Sequence, residues 1–261
     1  MNRNVLIVAF SLLCVAAALL WPPMPQPLSY HAFVDQRAFF GVPNFLDVAS
    51  NIGFVIPGLL GVFVTLRPQT TFICRVERAP YVVFFLGMLL TSIGSSYYHL
   101  AQDNERLFWD RLPMTIAFMS LIAAQICERV NVRAGIALLA PLLAIGAASV
   151  WYWRATERVG AGNVIPYGIL QGYAVIILLL VAVLLKSRYT HDRDIYWVFA
   201  WYVIAKILEA LDTQIFALGN TVSGHTLKHL AAGAAGWVVS SMLLRRESRQ
   251  SADTVARTIA C

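Results

Sequence analysis

Residues 164–185, VIPYGILQGYAVIILLLVAVLL, run for 22 positions without a charged side chain. The hydrocarbon core of a bilayer is about 30 Å thick and takes roughly 20 apolar residues in a helix. The run is therefore read as a membrane-spanning helix, which satisfies its own backbone hydrogen bonds where no water is at hand. Outward from it, seven further stretches approach the same length, near 5–21, 45–66, 80–98, 111–127, 134–153, 195–217 and 225–244. Composition agrees: 59% of the 261 residues are hydrophobic and 13% are charged, where a soluble domain carries about 25% charged residues. The sequence predicts an all-α fold, a polytopic membrane helix bundle with a seven-helix core plus one N-terminal helix. It divides as a single transmembrane domain into a leading helix and Pro-rich exit at 1–30, the seven-helix core at 31–244 and a cytoplasmic tail at 245–261. The first stretch is followed by WPPMPQP (21–27) rather than a small-residue cleavage site, so it is read as a retained helix. Pro57 and Pro141 fall inside expected helices and should bend them.

The net charge is +6, and its distribution is informative. With a cytoplasmic N-terminus, thirteen Lys and Arg fall in inner segments, against five in outer loops (Arg37, Arg106, Arg111, Arg154, Arg158), while Lys206 and Lys228 lie within helices. The positive-inside rule then places both termini in the cytoplasm, and the short loops suit a bacterial inner membrane. Basic residues spread over inner loops do not form the solvated patch that nucleic acid requires, so nucleic-acid binding is excluded. The four cysteines form no CxxC pair.

Chemistry enters with five polar residues. In GSSYYH (94–99), Ser95 and His99 stand four apart; in HTLKH (225–229), His225 and His229 do the same; Asp110 follows His99 closely. Residues four apart share one face of a helix. The topology brings the third helix outward to His99, starts the fourth near Asp110 and starts the eighth at His225, so all five reach one membrane face. Three neutral imidazoles leave the fourth position of a tetrahedral zinc ion open, the pattern of a catalytic site. Zn2+ is therefore the expected cofactor, with His99, His225 and His229 as ligands. Singly, each residue has a plainer reading: a polar contact between helices for the histidines, back-bonding to its own helix for Ser95, a helix cap for Asp110. Together, in helices where such groups are costly, they point to function. Of the remaining charges, Lys206 and Glu209 are expected to pair, Asp212 to orient a zinc histidine or join a structural network, and Lys228 to snorkel to the interface. A cavity among the core helices is expected beside the metal, with an apolar channel reaching inward and Met114 and Leu227 in its lining.

The run GSSYYHLAQDNERLFWDRLPM (94–114) resembles the Ser-x3-His and Asp-x-x-Pro-Met signature of the alkaline ceramidase family. SGHTLKHLAAG (223–233) is similar to that family's closing His-x3-His helix, and PNFLDVASNIGFVIPG (43–58) to its first core helix, with the Ser-Asn pair at Ser50 and Asn51. The resemblance implies zinc-dependent hydrolysis of the amide bond of ceramide or a related N-acyl lipid, giving a fatty acid and a sphingoid base, with Asp110 moving the proton and Ser95 stabilising the oxyanion. The partner implied is a lipid substrate from the bilayer, without an obligate protein partner. Two departures stand out. Thr226, Leu227 and Lys228 lie where animal ceramidases have aromatic residues. The family's acidic calcium-binding segment reads FVDQRAFFGVPNFLD (33–47) here, with Asp35 and Asp47 but with Arg37 and Asn44 between them. Ca2+ prefers six to eight oxygens, so calcium is the less expected ion. The alternative is a lipid-binding receptor or sensor of the adiponectin-receptor type, from the same superfamily, for which tails of about four and about seventeen residues offer little to a partner.

Overall fold

The computed structural model of the chain describes residues 3–249. The uncharged run that opens the analysis forms a helix over Ile165–Leu184 (α7), started by Pro166 in its first turn, where a missing N–H is harmless. Before it come Arg3–Leu20 (α1), Phe45–Ala49 (α2), Ile52–Leu66 (α3), Arg78–Leu100 (α4), Asn104–Arg129 (α5) and Val132–Arg158 (α6); after it come Ile195–Ala210 (α8), Asp212–Ala217 (α9) and Gly224–Arg245 (α10). Among the described residues the all-α expectation is met, and seven helices, counting α2 and α3 as one span, are long and apolar enough to cross a membrane. The chain is a multi-pass integral membrane protein. Most of the expected tail at 245–261 lies outside the described residues.

Caps account for several helix starts. The Asp103 side chain accepts from the Arg106 N–H at 2.6 Å, Asn131 from Ala134 at 3.2 Å and Ser223 from Thr226 at 3.0 Å, each satisfying a donor that has no partner within its helix. The first of these corrects the sequence reading. The helix expected to start near Asp110 starts at Asn104, and Asp110 sits inside α5.

The stretch expected as one helix over 195–217 is broken at Leu211, leaving α8 with 16 residues, short of the other spans. Asp212 opens α9 directly after the break, and its Oδ1 accepts from the His225 N–H at 2.7 Å, so its side chain caps α10.

The bundle packs α4 on α5, α5 on α6, and α10 against both α3 and α8, while α1 lies along α7 with no buried residue of its own. α7 touches α5 much more than it touches α8. Two close crossings set the frame. A Cβ on Gly233 of α10 would strike the Gly53 carbonyl of α3, and a Cβ on Gly94 of α4 would strike the Trp109 carbonyl of α5. Trp109 is the residue whose carbonyl Pro113, lacking an N–H, leaves unbonded within α5. These glycines bring the helices carrying the polar residues into backbone contact at one end of the bundle. At the opposite end Arg246 pairs with Glu128 and stacks on Tyr189 and Phe72 at 4.1 and 4.3 Å from the ring centres.

Candidate metal centre

His99 ends the last full turn of α4, and His225 and His229 lie in the first two turns of α10. Their burial is nearly complete, and one ring nitrogen from each lies within 4.8 Å of the others. His99 Nε2 and His225 Nε2 are 3.2 Å apart. Two nitrogens held about 2.0–2.1 Å from one tetrahedral ion stand roughly 3.3 Å apart, so this pair has the spacing of joint ligands. His229 engages Ser50 Oγ through Nδ1 at 2.8 Å, which leaves Nε2 free to ligate. That is the usual second contact of a metal-bound imidazole. His99 Nδ1 is buried without a hydrogen-bond partner. A buried group of three imidazoles of this kind can hold a metal ion.

Several residues hold the rings in place. Phe33, from the segment between α1 and α2, packs on His225 and His99 with ring centres 4.1 and 5.0 Å away. Asp212 fixes the His225 main chain, and its second oxygen accepts from Val34 at 3.5 Å. Its contact is with the backbone rather than with a histidine ring, so the expected alternatives resolve to a helix cap shared with that segment. Asp47 accepts from Thr226 Oγ1 at 2.7 Å and from Ser223 at 3.4 Å. Asp35 binds the Arg37 guanidinium at 2.7 and 2.8 Å, and Arg37 goes on to the carbonyls of Asn220 and Thr221. This places a fixed organic cation on the Asp35 carboxylate and couples the segment to the start of α10.

His229, Ser95 and Asp110 line one cavity of about 440 Å³, within the size range of small-molecule sites. Ser95 and Asp110 face each other from α4 and α5 within side-chain hydrogen-bonding reach, a consequence of the Gly94 crossing one residue away. From this polar end the cavity extends between α4, α5, α7, α8 and α10 past Met88, Leu121, Leu178 and Ile195. Along α4 the distance from Ser95 to Phe84, also in the lining, is about 16 Å at 1.5 Å per residue. Met114 is in the lining, whereas Leu227 is not. Lys228 corrects another expectation: instead of snorkelling, it turns into the cavity and donates to Glu209 at 2.7 Å. Lys206 pairs with Glu209 as its spacing predicts.

Ser50 carried a signal as half of the Ser-Asn pair in the first core helix. Phe33 carried none, because an aromatic residue in a loop looks like any other until the chain folds back. Comparison with curated proteins finds no match. A family model described as Ceramidase matches residues 41–257. That span contains every helix from α2 to α10, including those that bring imidazoles, serine and aspartate to one end of the bundle, and the chain belongs to the Ceramidase family.

Proposed function

We propose that the chain is a zinc-dependent intramembrane amidohydrolase, which cleaves the amide of ceramide or a related N-acyl lipid to a free fatty acid and an amine such as a sphingoid base. One observation carries the reading: three buried imidazoles cluster together, and one of them, His229, lines a mostly apolar cavity that Ser95 and Asp110 also line. His99, His225 and His229 would hold the metal. Zinc, when bound in such a site, lowers the pKa of water to about 7 and polarises a carbonyl.

The remaining work falls to the chain's own side chains. Asp110 accepts the proton of the attacking water and delivers it to the amide nitrogen as the C–N bond breaks, so the acyl carbon gains oxygen and the amine leaves neutral. Ser95 lies within reach of Asp110 before reaction. As Asp110 takes up its proton it becomes a poorer acceptor, and the Ser95 hydroxyl turns to the oxyanion at the moment that charge develops. Such a donor is typically worth about 3–4 kcal/mol. The cavity lining from Met88 to Ile195 suits the acyl chain, with the amide at the polar end. Basic loop residues favour cytoplasmic termini and a zinc site near the outer face, and the short loops suit a bacterial inner membrane. Segment 31–244 is the catalytic core in this reading.

The test uses purified protein in detergent, with zinc measured by plasma mass spectrometry and fatty-acid release measured from ceramide. The parent is expected to carry about one zinc per chain, His225→Ala to lose it, and Asp110→Ala to keep it while losing about 10²–10⁴-fold in rate. Hydrolysis that survives both substitutions, or a parent without stoichiometric zinc, would refute the reading.

A further inference from the structure

Five charged side chains line the cavity: Asp110, Arg111, Lys206, Glu209 and Lys228. Three are cations and two are carboxylates, so the lining carries a formal excess of one positive charge. Glu209 is shared, with Lys228 on Oε1 and Lys206 on Oε2. Asp110 lies within electrostatic reach of both Lys228 and Arg111. An ammonium has three donors, and Lys228 spends one on Glu209.

Arg111 is 4% exposed and donates through Nη2 to Gln26 Oε1 at 2.6 Å, but its Nε and Nη1 have no hydrogen-bond acceptor. Its guanidinium is held among Trp153, Tyr167 and Tyr30, at 4.4, 4.7 and 5.2 Å from the ring centres. Buried arginines at the far end of the bundle do have carbonyl or carboxylate partners: Arg129 donates to the carbonyls of Leu185 and Asp192, and Arg246, although its Nη2 also lacks a partner, pairs with Glu128. The Arg111 Nε and Nη1 are closed in by the rings, so Arg111 contributes its charge, whereas the Lys228 side chain keeps 17% of its surface accessible and presents its remaining donors. Surplus positive charge in a low-dielectric cavity favours an anionic partner.

Position decides which part of a substrate meets it. With the acyl chain in the arm lined by Met88, Leu121 and Leu178, and the amide beside His229 and Asp110, the amine half is directed at Lys228 and Arg111. We propose that these two cations form a subsite for an acidic group on the amine half of the substrate, a carboxylate, sulfonate or phosphate close to the scissile bond. N-acyl lipids with an acidic head, such as N-acylated amino acids, are then preferred over neutral ones. The proposal rests on the amidohydrolase reading above and, within it, ranks acid-headed N-acyl lipids ahead of ceramide, whose sphingoid amine carries no acidic group.

The experiment compares N-palmitoylglycine with N-palmitoylethanolamine, which share an acyl chain and differ in head charge, in detergent micelles. For the parent, kcat/KM is expected to favour the acidic amide about tenfold or more, the worth of one charge-assisted hydrogen bond, through KM. Lys228→Gln should bring the ratio towards one, and Lys228→Arg should keep it above one. Equilibrium binding of both lipids to the chelator-stripped parent is measured alongside, and should show the same preference in Kd. A parental ratio at or below one in both assays, or a ratio unmoved by Lys228→Gln, overturns the subsite. Selective binding of the acidic lipid without turnover of either lipid upholds the subsite and counts instead against the amidohydrolase reading.

Discussion

Gly94→Ala probes the contact on which the site's geometry turns. A Cβ at position 94 would overlap the Trp109 carbonyl oxygen and stand 2.7 Å from its carbon and 3.3 Å from the Asp110 nitrogen. Ordinary contact begins near 3.4 Å, so α5 has to retreat from α4 by at least about 0.7 Å at its carbonyl carbon, backbone against backbone with no side chain to rotate away. Overpacking of this kind costs about 1–3 kcal/mol. The retreat also opens the gap between Ser95 and Asp110, and a misplacement near 1 Å at a reacting group costs roughly 10²-fold in rate. The expected result is a Tm lowered by several degrees together with lipid-amide hydrolysis reduced about a hundredfold, while zinc content stays parental because His99, His225 and His229 do not depend on the α5 spacing. Thermal unfolding in detergent and fatty-acid release, measured on one preparation, check both parts. Parental Tm and parental rate would refute the close crossing; a lowered Tm with a parental rate would refute its link to the Ser95–Asp110 pair.

Two further outcomes test the supporting residues. Ser50→Ala removes the contact to His229 Nδ1 and should weaken metal affinity about 10–100-fold in competition with a chelator; an unchanged affinity would show that His229 is held by its packing alone. Arg37 keeps the Asp35 carboxyl below its ordinary range by hydrogen bonding to it. Because the folded value is the depressed one, the contribution is complete above the unfolded value and disappears as pH falls through the folded value. Protection of the Val34 and Arg37 amides, taken relative to their intrinsic exchange at each pH, should therefore hold down to about pH 4 and fall only below it, and loss of protection at neutral pH would contradict the ion pair.

The sequence alone determined the class of fold and the chemistry at stake. Uncharged runs of span length admit few structures in lipid, and histidines four apart on a helix share a face whatever surrounds them, so His225 and His229 were legible as a pair. It also placed His99, Ser95 and Asp110 at the same end, since helices of bilayer length must alternate in direction. Tertiary structure decided the rest. That Asp103 rather than Asp110 starts α5 depends on which carboxylate finds a free N–H, and Asp212, just after the break at Leu211, caps a helix elsewhere in the chain. Lys228 turns inward because Glu209 is there to receive it, and Phe33 covers the histidines because the segment from Met24 to Arg37 folds back across the helix ends. Local periodicity reports only on neighbours in sequence, whereas these contacts join residues far apart along the chain and exist only once the helices have packed.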